Sequence, residues 1–443
     1  MNIKLSDHFG YKKLLKFTMP SIFMMIFTSI YGVVDGFFVS NYVGKTPFAA
    51  VNFIMPFLMI LSTIGFMLGT GGSALVSKTY GEGDKEKAVN LFSMFVYISL
   101  VLGIAISVLS FIFMRPIAIL LGAEGELLEQ CLLYGRISLI SMPAFILQLE
   151  FQSFFVTAEK PQLGLAVTIA AGVTNMVLDA LFIAVFNWGV AGAAAATATS
   201  EIIGGFFPLI YFSRKNSSIL RLTKYKFNGK ALLKACTNGS SELMSNLSMS
   251  LVNMLYNIQL LKYAGENGIA AYGVLMYVNL IFLAAFIGYS IGTAPVISYH
   301  YGAQNHGELK SLLRKSFVII GVFSISMLLA GELLARPLSL IFTGYDKELY
   351  ELTLKGFAVF AFSFLFAGVA IFGSSFFTAL NNGLISAMIS FLRTLVFQIA
   401  AVMLLPIFFG INGIWVSVVV AELMAFTVTL IFIIAKRKHY HYG

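Results

Sequence analysis

Apolar residues in this chain come in long blocks separated by short polar loops. About 20 consecutive apolar residues cross the hydrocarbon core of a bilayer. The blocks therefore predict twelve membrane helices, near 15–39, 53–77, 89–114, 131–157, 162–186, 190–213, 239–261, 270–297, 313–334, 353–379, 384–408 and 412–435. Composition agrees: 58% of the 443 residues are hydrophobic, 11% are charged and the mean hydropathy is +0.88, values foreign to soluble domains. The expected class is an all-α integral membrane protein with no separate soluble domain.

Charge then sets orientation. With the N-terminus in the cytoplasm, 21 of the 29 basic residues fall on the inner side, six fall outside, and Arg136 and Arg393 lie inside helices. Positive residues accumulate on cytoplasmic loops, so both termini are expected inside a cell membrane. The net charge of +9 follows from this distribution. It forms no basic face, which removes nucleic acid as a partner. Residues 1–16 are polar and basic and precede a long apolar run without a small-residue cleavage site, so the first helix is expected to be retained. Cys131 and Cys236 fall on opposite sides of the predicted membrane, which excludes an intramolecular disulfide and leaves no metal-ligand spacing.

Sliding the sequence by 221 positions reveals a duplication. Tyr42, Gly44, Ala49 and Ala50 fall on Tyr263, Gly265, Ala270 and Ala271; Ser77, Tyr80 and Gly81 fall on Ser298, Tyr301 and Gly302. Arg115-Pro116 falls on Arg336-Pro337, and Gly189, Gly192 and Glu201 fall on Gly410, Gly413 and Glu422. An even number of helices per unit makes the copies parallel repeats related by an axis along the membrane normal. The expected division is a six-helix bundle in residues 1–213, a basic cytoplasmic linker in 214–234 and a second bundle in 235–443. Such a pair places a substrate cavity at its interface and works by rocking or by bending helices.

The copies differ in their polar residues. Asp35 falls on Tyr256, Asp179 on Ala400, Asn175 on Val396 and Thr197 on Val418. At 1.5 Å per residue, Asp35 lies ~6 Å inside the outer helix end, and Asp179 and Thr197 ~10 Å. Asn175 and Asp179 share a helix face at i and i+4. Acids within membrane spans usually face a partner, a cavity or a transported ion. The four groups are therefore candidates for holding a proton or a dehydrated Na+, the alternative being ordinary hydrogen bonding between helices.

Other acids have less defined roles. Glu201 and Glu422 are repeat mates, which favours structure; Glu422 is expected to pair with Arg393 of the preceding helix. Glu242 reads as an acid at a helix start, and Glu150 as structural or as lining an inward-facing cavity. Pro20, 15 residues before Asp35, offers a place for the first helix to bend. Nineteen Met, 43 Phe and 19 Tyr suit a pliable cavity for flat organic molecules. Five scattered His and the lack of a GxxxxGK[ST] loop argue against an enzyme, a cofactor or an ATP engine.

The stretches IYGVVDGFFVSNYVG (30–44), TNMVLDALFI (174–183) and GVAGAAAATATSEI (189–202) resemble the multidrug and toxic compound extrusion family of antiporters, in order and over essentially the whole chain. The resemblance implies a V-shaped pair of six-helix bundles, working as a monomer. It also implies export of organic cations or other amphiphilic compounds in exchange for H+ or Na+. In the DinF-like branch, to which MepA-like proteins are near, the cation site matches Asp35, Asp179, Asn175 and Thr197, and the bending proline matches Pro20. The NorM-like branch uses acids in the seventh and tenth helices; this chain has only Glu242 at the start of the seventh and none in the tenth. A lipid-linked flippase of the same superfamily is the alternative, expected to carry more basic residues in its cavity. A major-facilitator protein is disfavoured because the loop SKTYGEGDKEKAVN lacks that family's motif.

Overall fold

A lipid-embedded backbone must satisfy its own polar groups, which leaves helices as the solution for apolar blocks of this length. The computed structural model describes residues 3–442, and eleven of its helices are long and apolar enough to cross a membrane. They are α1 Tyr11–Tyr42, α2 Lys45–Gly81, α3 Lys85–Leu120, α4 Gly125–Thr157, α5 Pro161–Val185, α6 Gly189–Ser213, the 74-residue Gly229–Gly302, α9 His306–Thr343, α10 Lys347–Ala379, α11 Gly383–Phe409 and α12 Ile411–Lys436. The Gly229–Gly302 element is two spans, α7 (229–264) and α8 (266–302), joined through Gly265 at φ 61° and ψ −152°. Twelve crossings result.

The duplication is written into the backbone. Gly44 (φ 104°), between α1 and α2, is the repeat mate of Gly265, and Gly189 and Gly410 are repeat mates that both hold φ 57°. Only glycine enters these conformations without strain. Asp84 and Asn305, again mates, cap α3 and α9 by accepting from Lys87 N and Glu308 N, satisfying one orphan donor at each start.

Three expectations need correction. The loop anticipated at 262–269 is absent, because a single glycine makes the turn between α7 and α8. The linker ends at Asn228, not at 234; the Asn228 side chain caps α7 by accepting from Ala231 N 3.1 Å away. Glu242 consequently lies thirteen residues into α7 and is no helix-start acid. Hydropathy starts the helix at 239 and misses the first ten residues, nearly three turns, because Lys230, Lys234 and Asn238 interrupt the apolar run. The remaining linker lies against the first half, with Leu220 buried and Thr223 N donating to Ser93 Oγ.

Close contact between the halves concentrates near the face that carries both termini. A Cβ on Gly81 would collide with the Tyr299 carbonyl, and one on its mate Gly302 with the Lys78 carbonyl; Lys78 and Tyr299 are themselves mates. α2 thus meets α8 across a pseudo-two-fold. Gly71 and Gly239 bring α2 onto α7, while Gly288 and Gly292 bring α8 onto Thr18, Ser21 and Ile22 of α1. Toward the opposite face, a Cβ at Gly32, Gly36 or Gly273 would meet nothing within 4 Å. The halves are sealed at the terminal face, and space opens beside α1 and α8 toward the other.

The N-terminal segment straps this seal. Leu5 and Phe9 are fully buried; Leu5 N donates to Glu159 Oε1 (2.7 Å) in the first half, and Phe9 N donates to Glu308 Oε1 (2.9 Å) in the second. His8 Nδ1 is 2.6 Å from Glu308 Oε2, and Lys315 Nζ donates to the Phe9 carbonyl. Hydrogen bonds to charged groups contribute about 1.5–3 kcal/mol each. Glu308→Ala should therefore speed amide exchange of residues 5–9 by roughly tenfold or more. Glu82→Ala, which removes an exposed i,i+4 partner of Lys78, should not; hydrogen–deuterium exchange distinguishes the two.

Candidate cation site and the paired glutamates

α1, α5 and α6 bring the four predicted polar residues into one region of the first half. Asp35 and Asp179 face each other across α1 and α5. Asp179 is fully buried and neither of its oxygens has a hydrogen-bond partner; Asp35 is half-buried with Oδ1 in the same condition. Asn175 is buried one turn from Asp179, and its Nδ2 points to Thr197 Oγ1 at 3.5 Å while its Oδ1 has no partner. Buried polar atoms are rarely left unpaired. Four orphaned oxygens on two acids and an amide form a set that a proton or a desolvated monovalent cation would satisfy.

The backbone changes form at this point. α5 is regular through Asp179 and then widens into a π-turn over Ala180–Val185. Such turns are costly and collect at functional sites. Nothing in the sequence announces it.

Tyr31, Tyr134 and Ser141 complete the surroundings and escaped sequence reasoning. Tyr134 is buried within electrostatic reach of Asp35, Asp179 and Glu201. Tyr31, four residues before Asp35 and so on its face, stands near Asp35 and Glu201; that spacing was the available signal. Ser141 Oγ donates to Glu201 Oε2 at 2.5 Å. Its role depends on the rotation of α4, which the sequence does not encode locally.

The two repeat-mated glutamates have different surroundings. Glu422 accepts from Arg393 Nε at 2.8 Å, and both side chains are largely buried. Arg393 sits on a second π-turn, Leu392–Val396. Its mate in the first half is Gly172, where a Cβ would strike the rings of Phe27 and Tyr31. The second-half mates of those rings are the smaller Ser248 and Val252. One half therefore makes room for a guanidinium beside its glutamate, and the other fills that room with rings and leaves Glu201 with a serine.

The remaining candidates lie apart. Glu150 is fully buried in the first half, packed against Gly69 of α2, with no partner for either oxygen. Pro20 is buried ten residues inside α1, which stays helical through it, next to the Ser21 and Ile22 that touch α8. The position expected to bend thus lies within the seal.

The MatE family model matches residues 20–181 and 243–404, once in each half. The chain belongs to the MatE family. A multidrug export protein MepA of Staphylococcus haemolyticus is 27% identical over 417 residues, which cover 93% of this chain and 90% of that protein. A MepA of Staphylococcus aureus is 24% identical over 414 residues, 93% and 91% of the two chains. Among solved structures, a MATE protein in complex with MaL6 superposes with a TM-score of 0.93 at 22% identity, covering 98% of both chains. An outward-facing multidrug resistance MATE family transporter of the MOP superfamily gives the same score, identity and coverage. These structural likenesses establish the fold, with twelve helices in two parallel repeats.

Within this MatE chain the Arg393–Glu422 pair is directly testable. Removing one partner of a buried ion pair costs about 3–5 kcal/mol, whereas removing both is often close to neutral. Arg393→Gln and Glu422→Gln should each lower the melting temperature and yield of the detergent-purified protein. The double variant should recover most of the loss; a double variant as poor as the worse single one would show that the pair is not what the two residues contribute.

Proposed function

We propose that this protein is a secondary transporter of the cell membrane that exports organic cations or other amphiphilic compounds in exchange for H+ or Na+. The observation that carries the reading is the cluster of partnerless oxygens on Asp35, Asp179 and Asn175 beside Thr197, confined to one of two duplicated halves. Duplication alone makes a scaffold. An acidic site without a resident base makes that scaffold responsive to an exchangeable cation. The MepA relatives, named as multidrug export proteins, support the substrate class.

In this reading the terminal face is cytoplasmic, in keeping with its basic residues, and the sealed arrangement is the one open to the outside. Cation entry at Asp35 and Asp179 neutralises α1 and α5 where they meet. α1 then rearranges around Pro20, where the missing N–H leaves the Lys16 carbonyl without its helical donor. Because Pro20 lies in the seal against α8, that bend bears on the contact closing the cytoplasmic side. Substrate binding at the bundle interface and cation binding in the first half compete through α1. No ATP, cofactor or partner chain is required, and the monomer is the working unit.

The test is efflux of a fluorescent organic cation from proteoliposomes under a pH gradient or a Na+ gradient imposed separately. One gradient should drive efflux, and Asp35→Asn and Asp179→Asn should each reduce it to the level of protein-free liposomes while leaving folding intact. Wild-type efflux by either variant at wild-type abundance would remove its acid from coupling. Transport under neither gradient would favour a lipid-linked or narrow-substrate exporter on the same fold.

A further inference from the structure

Arg136 differs from the other arginine inside a span. It has no carboxylate within ion-pair distance among the described residues, and it is exposed on the outer surface of α4, where hydrocarbon lies in a bilayer. Its guanidinium lies over the Phe111 ring of α3, 5.6 Å from the centroid. A bare guanidinium at this depth is costly unless it reaches a partner. Helical side chains lean toward the helix N-terminus, and α4 starts at the face opposite the termini, ~16 Å away along its axis. Arg136 therefore leans toward the headgroups of that leaflet.

Below it lies an apolar groove of about 370 Å³ lined by Ile104, Val108, Ile112, Ile140 and Pro143, with Ser107 between them. Residues 104, 108, 111 and 112 form one stripe of α3, and 136, 140 and 143 one stripe of α4. The groove has a local cause. Pro143 has no N–H to give the Leu139 carbonyl, and the Ser107 hydroxyl of α3 donates to that carbonyl instead. The helices touch where a Cβ on Gly103 would lie 3.0 Å from Pro143 Cα. From this crossing the groove runs outward toward Arg136.

We propose that Arg136, Phe111 and this groove bind one anionic phospholipid of the leaflet opposite the termini. The phosphate takes the guanidinium, whose planar fork suits it, and an acyl chain lies along the groove. Charge selects the lipid: an anionic headgroup neutralises Arg136, whereas a zwitterionic one brings its own cation to compete. The site stands apart from the cation cluster and does not rest on the transport reading.

The test uses the full chain in phosphatidylcholine bilayers with a Phe111→Trp reporter, its fluorescence taken as the difference from protein without the reporter. Brominated phosphatidylglycerol should quench it at a mole fraction roughly fivefold lower than brominated phosphatidylcholine. Arg136→Gln should make the two lipids equal, while Arg115→Gln, which removes the exposed partner of Glu129, should leave the preference intact. Equal quenching with Arg136 present, or a preference that survives Arg136→Gln, overturns the proposal. If Arg136→Gln does not fold, Ile140→Trp, which fills the groove and keeps the arginine, carries the test. It should reduce the phosphatidylglycerol retained in native mass spectrometry, and unchanged retention overturns the proposal equally.

Discussion

A carboxyl group inside a helix bundle surrounded by hydrocarbon has to be neutralised, by a base, a proton or a bound cation. The two halves of this protein start from the same six-helix plan and meet that constraint differently. In the second half Glu422 takes Arg393 at 2.8 Å, a pair fixed by the sequence. In the first half Asp35, Asp179 and Glu201 have no arginine or lysine within ion-pair distance among the described residues, and the place of the arginine is taken by Gly172 under Phe27 and Tyr31. One bundle carries its own counter-charge, and the other needs one from outside. The asymmetry between the two halves follows from a few side-chain volumes.

Helix number and duplication are carried by apolar block length and by residues at helix ends, so they were legible in the sequence. The acids were legible for the same reason, since a charge within an apolar block stands out. The single-glycine turn at Gly265, the true start of α7 and the two π-turns were not. Each depends on backbone geometry that costs little sequence signal: one residue at positive φ, one asparagine cap, one extra residue in a helical turn. Glu242 was misplaced as a consequence. Ser141 and Tyr134 entered the site only when the rotation of α4 was known, because helix rotation is set by packing on several neighbours at once.

The seal between the halves shows how a duplicated protein can hold one conformation without a large polar interface. Glycines at mated positions let α2 and α8 approach until backbone meets backbone, which gives dispersion contact and leaves little side-chain entropy to lose. Among the described residues, no ion pair links α2 to α8, so separating these two helices breaks no such pair. The N-terminal strap adds directional bonds from the buried Leu5 and Phe9 amides to Glu159 and Glu308.

That division of labour bears on coupling. Under the proposed exchange, a transporter that opens at one face for each cation needs a contact that is specific when formed and cheap to leave. Smooth glycine surfaces supply specificity through shape, and Pro20, set inside that surface on α1, is the place where the proposed deformation would occur. Asp35 lies on the same helix four turns away, so neutralising it alters the end of a rod whose other end forms the seal. In the exchange proposed above, the physical link between ion and gate would be a single continuous helix, with its weak point at the residue that cannot donate a hydrogen bond.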